Sequence, residues 1–190
     1  MANSIFFLLF TLFELFSSTI VTAEHPPFYR TISPTSLGLR REKLSHLHFY
    51  FHDLARGPRS TAVIVAKANI TDKSPTLFGQ VRMADDPLTI GPSMESKLIG
   101  KAQGMYAYAS QNDFGLMMVM NFEFVEGKFN GSTISLLGRN DIFATVREMP
   151  IVGGSGHFRF ARGYALVKPY FFNVPAQNAT VEYDVYVFHY

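Results

Sequence analysis

Residues 44–53 read LSHLHFYFHD, a run of aromatic and aliphatic residues that carries three histidines and stops on an aspartate. If the run is a strand, successive side chains point to opposite faces. Leu47, Phe49, Phe51 and Asp53 then share one face, and His46, His48, Tyr50 and His52 share the other. Two chemistries compete for such a segment. One places a metal on the histidines; the other places a carboxyl group at the end of an apolar wall.

Working outward, the hydrophobic period is two almost everywhere, which predicts strands over 44–53, 61–68, 78–84, 98–109, 114–125, 132–140, 144–149, 157–167 and 180–189. Turn signals separate them: ARGPRS, DDPLTIGPSMES, EGKFNGS, VGGSG and VPAQN. No window has the period of an amphipathic helix. Many strands at short spacing predict an all-β antiparallel sandwich or closed barrel in a single domain. In the fifth run Leu116, Met118, Met120, Phe122 and Phe124 share a face. In the fourth, Gly100, Ala102 and Gly104 are followed on one face by Tyr106 and Tyr108. Small residues followed by hydroxyl-bearing rings either leave room for a ligand inside a barrel or simply fit the shape of a core.

The first 23 residues are read as a secretory signal peptide. They hold an apolar run from Ile5 to Phe16 and end in Val21-Thr22-Ala23, which suits cleavage after Ala23. Glu14 interrupts the run, which argues against a membrane anchor. Residues 24–41 contain Pro and Ser without a period and are expected to form an extended arm, with the folded domain at 42–190. The formal charge is only +2 over 190 residues, with basic residues scattered, so there is no nucleic-acid footprint. There is no cysteine, which excludes thiol nucleophiles, thiolate metal sites and disulfides. The 19 Phe and 9 Tyr are more rings than packing usually needs, which favours an aromatic-lined cavity. Sequons at Asn69, Asn130 and Asn178 are candidate glycosylation sites.

Of the chemistries open to such a chain, metal binding lacks the third and fourth ligands that His46 and His48 would need. Gly153-Gly154-Ser155-Gly156-His157 is neither a phosphate cradle nor a nucleophile elbow. Asp53 remains. Facing an apolar cavity, its carboxyl group should hold its proton more tightly and could act as a general acid. Alternatively, it caps a turn or pairs with one of Arg147, Arg159 and Arg162.

The segments FYFHDL, DDPLT, GKAQGMYAYAS, EGKFNGSTISLLGRN, VREMPIVGGSGHFRFARGYA and VEYDVYVFHY, in this order and spacing, resemble the plant dirigent family over residues 42–190. The GRN and VREMP variants resemble its branch that includes pterocarpan-synthase-type members. The resemblance implies an eight-stranded antiparallel β-barrel of the allene-oxide-cyclase kind with a central pocket. It also implies a glycosylated protein secreted to the apoplast, usually as a homotrimer (a homodimer being the alternative), without cofactor, metal, membrane or nucleic-acid partner. Carried over residue by residue, it makes Asp53 the acid, Tyr106 a phenol-binding hydroxyl and Arg147 an oxyanion-holding cation. Phe49, Phe51, Tyr108, Phe122 and Asn140 are expected to line the pocket. By the same resemblance, pinoresinol-forming members carry an aspartate, in a GAD motif, where this chain has Gly138-Arg139-Asn140, and an amide cannot donate a proton as a carboxylic acid does.

Two functions follow from the resemblance. The first is stereochemical guidance of phenoxy-radical coupling, for instance of coniferyl alcohol to optically active lignans, with a laccase or peroxidase supplying the radicals. Such coupling has almost no barrier, so the protein's contribution is orientation. The second is a dehydratase that closes an isoflavanol to a pterocarpan through a quinone methide. The sequence reading places the first ahead; a wall protein without catalysis comes last.

Overall fold

The computed structural model describes residues 28–39, 41–173 and 175–190; the expected signal peptide lies outside them. The chain divides into a unit ending at Leu37 and a unit from Gly38 onward. The described part of the first is exposed and holds one 3-10 turn, Pro34–Leu37, where Ser36 N–H and Oγ both donate to Ser33 O.

The described residues of the second unit form nine antiparallel strands: β1 Lys43–Leu54, β2 Ala62–Lys67, β3 Gln80–Thr89, β4 Leu98–Tyr108, β5 Gly115–Phe124, β6 Thr133–Asp141, β7 Arg147–Ser155, β8 Arg162–Asn173 and β9 Asn178–His189. From β3 to β9 each strand pairs with the next. β1 returns to pair with β9 over its whole length, from Lys43↔His189 to Leu54↔Asn178. It also touches β3 at Tyr50↔Thr89 and Phe51↔Leu88. Those two rungs close an eight-stranded barrel. β2 lies outside the closed ring, paired with the first half of β3.

Several expected boundaries move, among them the start of β7, from 144 to 147, and the end of β8, from 167 to 173. β3 runs five residues beyond the expected end, through Pro87 to Thr89, so DDPLT is strand and not turn. Proline is tolerated there because β3 changes neighbours at that point. β2 pairs with residues 80–84 and β1 with 88–89, leaving a gap where no ladder needs the missing N–H. β7 extends through Ser155, so VGGSG is strand as well. In consequence β8 starts at Arg162, after a 3-10 turn Gly156–Phe158.

The inner face carries the alternation read from sequence. In β5, Leu116, Met118, Met120, Phe122 and Phe124 are buried. The barrel is filled unequally along its axis. Phe49 stacks on Tyr183 at 5.5 Å and meets Phe122 edge-on at 5.4 Å. Phe124, Phe129 and Phe158 continue this plug. Each ring removed from water there contributes roughly 1.5–3 kcal/mol. Gly100 and Gly104 do not open space; they let β4 sit tightly on β5. A Cβ at either would stand 2.1 Å from a carbonyl oxygen, that of Glu123 or Val119.

Candidate active site: a blind aromatic pocket with a buried acid

Above the plug the barrel is hollow. The cavity measures about 500 Å³, within the range of small-molecule sites. Phe51, Asp53, Tyr106, Tyr108, Asn140 and Arg147, all expected site residues, line it. Phe49 and Phe122 do not. They were expected in the pocket because they share faces with Phe51 and Met118, but they sit one level down, fully buried in the plug.

Asp53 is the last inward residue of β1. Its Oδ2 accepts a hydrogen bond of 2.8 Å from the Tyr106 hydroxyl. Its Oδ1 is sealed from solvent without a partner. Burial raises its pKa from 3.8 to about 6, against the opposing pull of the Tyr106 hydrogen bond and the Arg82 charge. The same burial, with the Asp53 charge added, pushes the Tyr106 phenol upward, so it stays a donor.

The cation beside Asp53 is therefore Arg82, which the sequence reading missed. Arg159 and Arg162 are exposed, and Arg162 is held by Glu42. Arg82 is buried on β3, donates to Gln177 Oε1 at 2.7 Å and keeps its Nε unpartnered. Arg147, at the start of β7, donates to the Ile142 carbonyl at 2.9 Å and also keeps a free, buried Nε. Burial lowers its pKa. Two guanidinium groups with spare donors thus face one cavity, an arrangement suited to a developing phenolate or quinone oxygen. Asn140 is buried with its Oδ1 unpartnered, while Arg139 and Asp141 on either side pair with each other at 3.5 Å away from the cavity.

Three further groups escaped the sequence reading. Tyr183 from β9 lines the cavity floor. Phe114, Phe143 and Phe172 form an edge-to-face chain among the lining residues, at 5.2 and 6.4 Å. Phe114 and Phe143 lie between strands, where a large ring next to turn residues is the usable signal. The third group, Asp86, is fully buried on β3 and was hidden by the reading of DDPLT as a turn.

The histidine row has another use. His46 Nε2 lies 2.8 Å from Asp184 Oδ1, and His48 Nε2 lies 2.8 Å from Glu182 Oε1, both across to β9. His52 is buried against Thr89 Oγ1 at 2.7 Å, and burial lowers its pKa. Among the described residues no group of three or more His, Cys, Asp or Glu side chains is placed to hold a metal. Asn69 and Asn130 lie exposed at turns, whereas Asn178 opens β9 half-buried with its Oδ1 enclosed.

Fold and cavity together define a closed antiparallel barrel around a cavity of small-molecule size, lined by one acid and two guanidinium groups. The chain belongs to the dirigent family: the family model described as Dirigent-like protein matches residues 44–188. It is 53% identical to pterocarpan synthase 1 of Glycyrrhiza echinata over 99% of this chain and 98% of that one. Identity to pterocarpan synthase 1 of Glycine max is 52%, with both chains covered completely. The solved structure of the pterocarpan synthase dirigent protein GePTS1 superposes with a TM-score of 0.76 at 52% identity, covering 85% of this chain and 89% of that one.

Proposed function

We propose that this chain is a dehydratase of the pterocarpan-synthase type, closing an isoflavanol to a pterocarpan with loss of water. The observation that carries this reading is its similarity to pterocarpan synthases along the whole chain. The cavity supports it, with a carboxyl group at Asp53 and an amide at Asn140. The order of the two functions drawn from sequence is thereby reversed.

The chemistry needs few groups. Asp53, protonated, gives its proton to the carbinol hydroxyl, whose C–O bond breaks to release water. The phenol para to that carbon loses its proton, leaving a neutral quinone methide whose oxygen Arg82 or Arg147 can stabilise. The second phenol of the substrate adds to the electrophilic carbon. Its proton returns to the acid, and the quinone oxygen regains one as the ring becomes aromatic. The net change is the loss of one water. Ring stacking in the pocket selects which face is attacked; about 1.4 kcal/mol between two poses is tenfold in product ratio.

Small phenols are the substrate class. Secretion to the apoplast and glycosylation belong to the same proposal, supported by the apolar leader and the exposed sequons. So does assembly as a homotrimer. Val63, Met83, Met105, Val119 and Leu137 stand side by side across β2 to β6 on the outer face, four of them 41–53% exposed. Sedimentation of the purified protein tests that assembly.

The decisive experiment incubates the protein with a racemic isoflavanol and no oxidant, then with coniferyl alcohol and laccase. Turnover of one enantiomer in the first mixture is the expected result. Enantiomeric excess confined to the second would return the chain to radical coupling.

A further inference from the structure

The gap in the barrel wall where β3 changes neighbours holds a buried acid that the chemistry above does not use. The β1–β3 rungs stop at Phe51↔Leu88. Continuing that register by two residues sets Asp53 opposite Asp86, both on the inner face. Thr61 ties the gap together. Its Oγ1 accepts from Leu54 N–H at 3.1 Å and donates to Asp86 Oδ1, and its carbonyl accepts from Asp85 N–H at 2.9 Å. Asp86 is completely buried, yet its Oδ2 has no hydrogen-bond partner. Asp53 shows the matching defect: Oδ2 is satisfied by Tyr106 and Oδ1 is orphaned. A buried carboxylate oxygen without a donor is costly, and two facing each other as anions cost more. A single proton held between them satisfies both.

We infer that Asp53 and Asp86 share one proton between Asp53 Oδ1 and Asp86 Oδ2, with Asp86 acting as the positioning residue that keeps Asp53 supplied with the proton it gives to the substrate. The inference rests on the dehydratase reading for its role, though not for the pairing itself. The charged and titratable surroundings agree with it. Arg82 on β3 and Arg147 on β7 are the nearby cations; Tyr106 and Tyr108 on β4 and Tyr183 on β9 are phenols kept neutral by burial; Asp85 on β3 points outward to Lys101. The Asp53 charge adds to burial in raising the Asp86 carboxyl to about 8. Two carboxyl groups in one site titrate as a pair, the second proton leaving only at high pH. When Asp53 protonates the leaving hydroxyl, the pair is briefly left as two carboxylates. The phenol proton released on ring closure restores it, so the cycle consumes no proton.

Asp86 acts through Asp53, so a loss of activity on its own would not separate this role from a structural one. The test is titration by NMR of the protein labelled at the aspartate carboxyl carbons, with Asp53→Asn used to assign the resonances. In the unsubstituted protein the two carboxyls should titrate together and retain one proton at pH 7. In Asp86→Asn, which replaces the shared proton with an amide N–H donor, the Asp53 midpoint should fall by about one pH unit or more, tenfold in proton affinity. The basic limb of kcat/KM for the isoflavanol should fall with it. Independent titration of both groups below pH 5 in the unsubstituted protein overturns the pairing without need of any variant. An unmoved Asp53 midpoint in Asp86→Asn overturns it also. A shifted midpoint with an unmoved activity profile overturns the catalytic role of Asp86. If the protein turns over no isoflavanol, the dehydratase reading fails, while the resonances still decide whether the proton is shared.

Discussion

Asp53→Asn should make the protein more stable and nearly inactive. The carboxyl of Asp53 is raised from 3.8 to about 6 because its charged form has left water. At 1.36 kcal/mol per pH unit, ionising it inside the barrel costs the fold about 3 kcal/mol. The sign follows from proton binding. Between pH 4 and pH 6 the unfolded chain has released this proton and the folded chain has not. Stability therefore declines as pH rises through that window and stays low above it. An asparagine carries no such penalty. Its carbonyl still accepts from Tyr106, and its amide can donate toward Asp86. The variant should thus be more stable at pH 7.5 by about 3 kcal/mol, or roughly 6–12 °C in Tm for a domain of this size, with little gain at pH 4. Losing the general acid should cost about 10²–10⁴ in kcat. Urea denaturation at both pH values, with isoflavanol turnover measured on the same preparations, checks both halves. A variant that is less stable than the parent at pH 7.5, or that keeps its turnover, refutes the reasoning.

Other perturbations separate packing from chemistry. Phe49→Ala empties the middle of the ring plug and should cost about 3–5 kcal/mol in denaturation experiments while phenol binding in the upper cavity, followed by fluorescence, survives. Gly104→Ala sets a Cβ against the Val119 carbonyl, a backbone clash that no rotamer relieves; the expected loss is about 3 kcal/mol or failure to fold, visible in expression yield and circular dichroism. Expressed through a secretory host, the protein should carry glycans at Asn69 and Asn130 but not at Asn178, read by glycopeptide mass spectrometry, because Asn69 and Asn130 are exposed while Asn178 is half-buried at the start of β9 with its Oδ1 enclosed.

The alternation of residues 44–53 was enough to place Asp53 at the end of an inward wall, and similar alternation located every strand of the ring. What it did not contain was depth. Phe49 and Phe51 share a face two residues apart, but one is plug and the other pocket lining. The difference is made by Phe122 and Tyr183, which arrive from distant strands. The missed pair of charged residues has a local cause. Pro87 reads as a strand terminator, so Arg82 was left at the end of a short strand and Asp86 in a turn. Only the strand pairing explains why a proline fits in mid-strand, since the change of neighbour from β2 to β1 is a fact of topology. Likewise Gly153 and Gly154 look like a turn until Gly154 is seen packed against the Thr133 carbonyl, where a side chain would not fit.

The pairing of β1 with β9 has a consequence for how the chain is made. Ser45 and His189 meet across 144 residues of sequence. During synthesis β1 leaves the ribosome early and waits, its Phe-rich edge unmatched, until almost the entire remaining chain has appeared. The strands from β3 to β9 can zip up one hairpin at a time, but the cylinder closes only at the end, by the contact of greatest sequence separation. Closure of that kind is slow and leaves a sticky edge exposed meanwhile. The step most vulnerable to aggregation is therefore the capture of β1, and holding it apart from other chains in the interim is the service this barrel demands of the cell's folding machinery.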